Sequence, residues 1–192
     1  MALLNLANCI DCTEVEGPGK RLALWVQGCL IRCPGCCNPH LFELSPMIFV
    51  ESSQVAARVK RAAETQGIEG VTFLGGEPML QARGLAEIAA LTRALGLSVM
   101  VFSGYRLEEI RRLAMPGTAD LLRHTDVLVD GPYVSNLPEQ DRNWVGSVNQ
   151  RFHYFSDRYQ ANIERDPAYA RGIEIRVGLH SEMKLNGWPV DV

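Results

Sequence analysis

Short apolar runs that end on glycine, each giving way to an amphipathic stretch, are the feature that most narrows the folds open to this chain. Residues 70–74 (GVTFL) run into Gly75-Gly76-Glu77-Pro78, and residues 82–95 then carry helical periodicity closed by Gly96. Residues 98–102 (SVMVF) run into Ser103-Gly104-Tyr105 and a second helical stretch, 107–114; residues 126–129 (DVLV) run into Asp130-Gly131-Pro132. Upstream, 21–27 (RLALWVQ) reads as a buried strand, and 52–66 as a helix with Ser52 or Ser53 as N-cap and Gly67 as its stop. Strands alternating with helices predict an α/β fold: a parallel sheet with its site at the C-terminal strand ends. A complete eight-unit barrel takes about 250 residues. A chain of 192 residues with this spacing holds about half of the units, so an incomplete, open (β/α) barrel is expected.

Beyond residue 132 the rhythm breaks into a polar connection. The pattern then predicts an apolar segment at 151–155 and a helix around 159–164. It also predicts a hairpin pairing 173–177 with 183–186 across 178–182. Two units follow: a partial-barrel domain over 1–150, and a C-terminal extension over 151–192 packed on the same domain. A 47% hydrophobic content supplies a real core, and no apolar run approaches the ~18 residues of a membrane helix. A formal charge of −3 argues against a nucleic-acid footprint. A P-loop reading of residues 14–21 fails, because Glu14 stands where its first glycine is needed and Arg21 where its Ser/Thr is needed.

All six cysteines lie at positions 9, 12, 29, 33, 36 and 37. The N-terminus lacks a basic-then-apolar leader, and so tight a cluster reads as metal ligands in a reducing cytoplasm rather than as a disulfide framework. Two sets compete. Cys9-x2-Cys12 with Cys33-x2-Cys36 fits a four-cysteine zinc ribbon, the mark of an interaction module. Cys29-x3-Cys33-x2-Cys36 places three thiolates on one loop. Such a loop can hold a cubane 4Fe–4S cluster with one iron left open for a chelating ligand. In the second reading Cys9 and Cys12 are small buried residues under the loop, and Cys37 is a bystander.

The segment Cys29-Leu30-Ile31-Arg32-Cys33-Pro34-Gly35-Cys36-Cys37-Asn38, followed by Gly75-Gly76-Glu77-Pro78 at a strand end, resembles the two signatures of the radical S-adenosylmethionine superfamily. The likeness narrows with Leu24-Trp25-Val26-Gln27-Gly28-Cys29, Ser103-Gly104-Tyr105, Leu128-Val129-Asp130-Gly131-Pro132 and Gly146-Ser147-Val148-Asn149-Gln150. From about Glu16 to Gln150 the chain resembles the activating proteins of anaerobic ribonucleotide reductase. The resemblance implies that Cys29, Cys33 and Cys36 hold the cluster, which passes one electron to S-adenosylmethionine. Cleavage to a 5′-deoxyadenosyl radical would then install a glycyl radical on the partner enzyme, with a flavodoxin or ferredoxin as electron donor. It implies that Gly75 and Gly76 let the backbone approach the cofactor, that Glu77 takes its ammonium, and that Asn38, Ser103 and Asp130 complete the site. No further catalytic residue is implied. A small radical enzyme acting on a peptide or metabolite of its own is the alternative. His40, His124, His153 and His180 show no metal spacing, Arg111 and Arg112 read as a solvated helix face, and Trp25 reads as core.

Overall fold

Residues 21–26 are buried at every position and form a strand, Arg21–Val26 (β2), as a near-continuous apolar run does when both sheet faces are covered. In the computed structural model, which describes residues 1–169, 172–178 and 183–187, this strand is an inner strand, third in order, of a seven-stranded sheet. It pairs in parallel with Gly70–Gly75 (β4), β4 pairs in parallel with Ser98–Ser103 (β5), and β5 does so with Val127–Asp130 (β6). The flanks run the other way. Leu3–Thr13 (β1) is antiparallel to β2, Ile48–Glu51 (β3) is antiparallel to β1, and Arg151–Tyr154 (β7) is antiparallel to β6. The strand order is β3-β1-β2-β4-β5-β6-β7.

The expectation of a parallel sheet therefore holds for the four inner strands and is corrected at both edges. Only residues 14–20 separate β1 from β2, too few for the dozen or more that a parallel crossover needs. The long β1, 11 residues, does not stand out in the sequence. Its register shifts between Leu6 and Asn8, and again between Ile10 and Thr13, break the alternation that would mark a strand.

The helices Ser52–Gln66 (α1), Ala82–Ala94 (α2), Leu107–Leu113 (α3) and Thr118–Arg123 (α4) follow the strands. The N-cap of α1 is Glu51, whose backbone N–H bonds Gln54 Oε1 at 3.1 Å, rather than Ser52 or Ser53. Gly67 closes the helix at φ +65°, as expected. Val55, Val59, Leu85 and Ile88 of α1 and α2 pack on Leu22, Leu24, Val71, Phe73, Val99 and Val101, all on one sheet face. Connecting segments cover the other face. Leu41 packs on Ala23 and Trp25, and Val145 and Ile163 pack with Met100, Val127 and Val129.

On that second face Arg21 is fully buried at the start of β2. It donates to Thr72 Oγ1 at 2.6 Å, Val71 O at 2.6 Å, Ser98 Oγ at 2.9 Å, Pro18 O at 3.0 Å and Tyr159 Oη at 3.2 Å. Hydrogen bonds from every side supply what an acidic partner would otherwise supply to a buried cation.

The helix expected around 159–164 is replaced by a 3₁₀ turn, Ile163–Arg165, because Asn162 stands at φ +71°, where a right-handed helix cannot pass. Ile173–Val177 (β8) and Met183–Gly187 (β9) form the antiparallel hairpin read from sequence. Of its expected connection, residues 179–182, with His180, lie outside the described residues. The polar face of the hairpin binds the end of β1 and the residue after it: Glu174 accepts from Glu14 N at 2.8 Å, Arg176 donates to Cys12 O at 2.8 Å, and Asn186 donates to Thr13 Oγ1 at 3.0 Å.

Candidate iron–sulfur and cofactor site

Glycine loops at the C-terminal ends of β2 and β4 bring the two signatures together. The loop after β2 is pinched at its neck, where Gly28 N donates to Leu41 O at 3.0 Å and Cys29 N to Phe42 O at 3.1 Å. Buried Leu41 anchors that neck on Trp25. Within the loop Arg32 adopts φ +52°, a left-handed conformation that costs a side-chain-bearing residue about 1–2 kcal/mol. Such local strain gathers at functional sites. Cys29 is buried, Cys33 and Cys36 are half-buried, and Cys37 is exposed.

The thiols at 29, 33 and 36 form one electrostatic group. Burial raises the Cys33 thiol, a hydrogen bond from the Tyr133 backbone opposes it, and the neighbouring Cys36 and Cys29 raise it further. Cys37 donates to the Cys36 sulfur, which draws the Cys36 thiol down and its own up. Asn38 N lies 3.4 Å from the same sulfur. The Asn38 side chain makes no capping hydrogen bond to the 3₁₀ turn Pro39–Leu41 that follows, although it occupies the N-cap.

The GGEP turn is hydrogen-bonded directly to this loop. Gly76 N donates to Val26 O, and Glu77 N to Gly28 O, both at 2.8 Å. A Cβ on Gly76 would stand 2.3 Å from Gly28 O, and one on Gly75, at φ +113°, 2.6 Å from Val26 N. Gly76 is thus required by contact between the two loops, and Gly75 by contact with the end of β2. Glu77 is only 1% exposed. Its Oε1 accepts from Met79 N and Ser103 Oγ, both at 2.9 Å, and its Oε2 from Gly104 N at 2.8 Å. Burial pushes its pKa up to about 7 against those three bonds. A carboxylate offers about four acceptor positions, so Glu77 has room for one more donor.

Ser103 therefore belongs to the Glu77 cluster. Asp130 stands apart from it. Asp130 is fully buried, and its Oδ2 accepts from Leu107 N and Arg151 Nη2, both at 2.6 Å, its Oδ1 from Arg151 Nε at 2.9 Å. His153 Nε2 lies 2.9 Å from Oδ2. Burial would raise the Asp130 carboxyl, but Arg151 and the Leu107 amide hold it below the ordinary range. The carboxylate thereby anchors the start of α3 next to the Ser103-Gly104-Tyr105 turn.

Arg151 does not stand out in sequence; only its place after Gly146–Gln150 marks it. Cys9 and Cys12 lie on β1, packed against the helix-side core. Burial pushes the Cys9 thiol up to about 11. Among the described residues no three His, Cys, Asp or Glu side chains converge on a single-ion site. A zinc ribbon needs four ligands around one ion, whereas a cubane spreads its thiolates over separate irons.

With the geometry in place, the chain compares closely with known proteins. The family model described as "4Fe-4S single cluster domain" matches residues 15–153, which makes this a single-cluster iron–sulfur protein. The anaerobic ribonucleoside-triphosphate reductase-activating protein of Enterobacteria phage T4 is 32% identical over 77% of this chain and 92% of its own length. Its counterpart in Escherichia coli K12 is 31% identical over 73% of this chain and 92% of its own length. The chain belongs to this family of activating proteins. Among solved structures, QueE from Escherichia coli superposes with a TM-score of 0.46 and 18% identity over 53% of each chain.

Proposed function

We propose that this chain activates an anaerobic ribonucleotide reductase by installing a glycyl radical on it, within the cytoplasm, with a flavodoxin or ferredoxin as electron source. The observation that carries the reading is the hydrogen-bonded junction of the cysteine loop and the GGEP turn at neighbouring strand ends. Cys29, Cys33 and Cys36 are the cluster ligands in this reading: one loop carries all three, and the sulfurs interact. When bound, the cluster and S-adenosylmethionine together supply one-electron cleavage of the sulfonium and abstraction of a hydrogen atom from the substrate.

The chain's own groups do the rest. Glu77, fixed by Met79, Ser103 and Gly104, offers a remaining acceptor position to the cofactor's ammonium. Asn38, whose side chain is not spent on a cap, takes a nucleoside group. Gly75 and Gly76 hold the turn against the cysteine loop, and Ser103 orients Glu77. Asp130 acts from behind, fixing the Ser103-Gly104-Tyr105 turn through the start of α3. The architecture in this proposal is an incomplete, open (β/α) barrel over 1–150, with 151–192 as an extension. Its uncovered side admits a loop of a folded partner, and residues 132–150 form part of the rim.

The test is anaerobic reconstitution with iron and sulfide. The isolated chain should cleave S-adenosylmethionine slowly and without coupling. With the reductase present, a carbon-centred doublet should appear and collapse when the target glycine carries α-deuterium. Consumption of a small peptide or metabolite in step with 5′-deoxyadenosine, with no such signal, would replace this reading.

A further inference from the structure

The site described so far leaves a second junction unused, directly under the cysteine loop. Gln27, the residue before Gly28, stands opposite Asn5, where β1 and β2 would go on pairing past Leu6 and Val26. Residues so placed in an antiparallel pair exchange two backbone hydrogen bonds. One is made: Gln27 N donates to Asn5 O at 2.9 Å. The other is opened by the side-chain amide of Gln81, at the end of the 3₁₀ turn Pro78–Gln81 that follows Glu77. Gln81 Oε1 accepts from Asn5 N at 2.8 Å, and its Nε2 donates to Gln27 O and Asn5 O, both at 2.9 Å. The amide stands where the missing bond would be, with both of its donor hydrogens used.

This wedge reaches both ends of the cysteine loop. Gln27 is only 4% exposed, and its Nε2 donates to Glu43 O at 2.7 Å. The Asn5 side chain donates to Ser45 O and accepts from Met47 N, both at 2.9 Å. Residue 27 and residues 43–47 are thus gathered on one amide network, and the turn after Glu77 ends at its centre.

We infer that Gln81 is a positioning residue for S-adenosylmethionine: by wedging the β1–β2 pair open at the neck of the loop, it sets the spacing between Glu77 and the cluster thiols. This rests on those groups forming the cofactor site. One ligand that meets both Glu77 and an iron needs that spacing fixed, and a displacement of about 1 Å costs about a hundredfold. Removing the wedge leaves no orphaned group, because Asn5 N and Gln27 O are then free to bond each other directly. Spacing and stability therefore separate.

The experiment uses the full chain, reconstituted anaerobically, as wild type, Gln81→Met and Gln81→Glu. Met has the reach of Gln without its hydrogen bonds, and Glu keeps the acceptor but loses both donors. Iron content and thermal unfolding are read on each. S-adenosylmethionine is then titrated against the electron paramagnetic resonance signal of the reduced cluster. Both variants should keep wild-type iron, and Gln81→Met should melt close to wild type. In both, the cofactor concentration that half-converts the signal should rise about tenfold to a hundredfold. Full clusters with an unmoved half-conversion concentration overturn the proposal. Loss of iron in both variants, or melting of Gln81→Met far below wild type, also overturns it and makes Gln81 a structural brace. A wild-type cluster whose signal does not respond to S-adenosylmethionine overturns the cofactor reading itself.

Discussion

Gly76 and Gly28 approach so closely that a Cβ on Gly76 would stand 2.3 Å from the Gly28 carbonyl oxygen. The obstacle is backbone, which cannot swing away as a side-chain tip can. Gly76→Ala must therefore push the cysteine loop off the GGEP turn. The expected cost is about 1–3 kcal/mol of stability, as for other overpacked sites. Iron retained after reconstitution should fall with it. Gly96→Ala is the control: Gly96 stands at φ +76° with nothing within 4 Å of its Cβ direction. That variant should lose about 1–2 kcal/mol from backbone strain alone and keep its iron. Denaturant unfolding and iron analysis on both variants decide the matter.

Glu77 gives the fold a definite pH dependence. Its pKa is raised from 4.5 to about 7 by burial, so between these values the folded protein holds a proton that the unfolded chain has released. Stability contributed by this group is present below pH 4.5 and is lost as pH rises toward 7. At 1.36 kcal/mol per pKa unit the full change is about 3 kcal/mol. Glu77→Gln should remove that component, so the difference in unfolding free energy between wild type and variant should slope across this window. An ammonium bound to the carboxylate should displace the proton. S-adenosylmethionine binding at pH 6 should therefore release a proton, seen as a dependence of binding heat on the buffer's ionisation enthalpy. No buffer dependence would place the ammonium elsewhere.

Asp130 behaves in the opposite sense. Its folded carboxyl lies below the ordinary range, so the stability it contributes is present above the unfolded pKa and is lost as pH falls through the folded value. Arg151→Met leaves the buried carboxylate with the Leu107 amide and His153 but without the guanidinium. Arg151 is half-exposed, and solvent screens its charge, so a loss of about 1–2 kcal/mol is expected. Acid unfolding of the variant should begin at higher pH than that of wild type.

The inner strands were legible because each is a buried apolar run closing on glycine, and the helices between them carry a regular apolar stripe. Edge strand β3 was not: IFVE is four residues long and mostly exposed, so no alternation marks it. α4 was missed because TADLLR is too short for periodicity to show. In the site, the cysteine spacing and GGEP could be read directly, since both are local patterns. The partners of Glu77 could not, because Ser103 and Gly104 reach it only through the neighbouring pairing of β4 with β5. The burial of Arg21 left no trace for the same reason. Its partners Thr72, Ser98 and Tyr159 are 51, 77 and 138 positions away. What the glycines of GGEP contact, too, is a matter of tertiary approach rather than of sequence.

The cysteines divide into two groups by position, and the division can be checked metal by metal. Cys29, Cys33 and Cys36 share the loop after β2, whereas Cys9 and Cys12 are spaced along β1 and pack on the helix-side core. Burial holds the Cys9 thiol near a pKa of about 11, which keeps it protonated at neutral pH, and only a thiolate binds metal well. Cys9→Ala and Cys12→Ala should therefore retain about four irons per chain and the brown colour of one cubane. Cys33→Ala should lose both, since two thiolates on the loop cannot hold the cluster against chelators. A zinc ribbon predicts the reverse pattern: Cys9→Ala would empty the site, Cys29→Ala would leave it filled, and the protein would be colourless. Metal analysis of these four variants after anaerobic purification separates the two arrangements, whatever the partner enzyme proves to be.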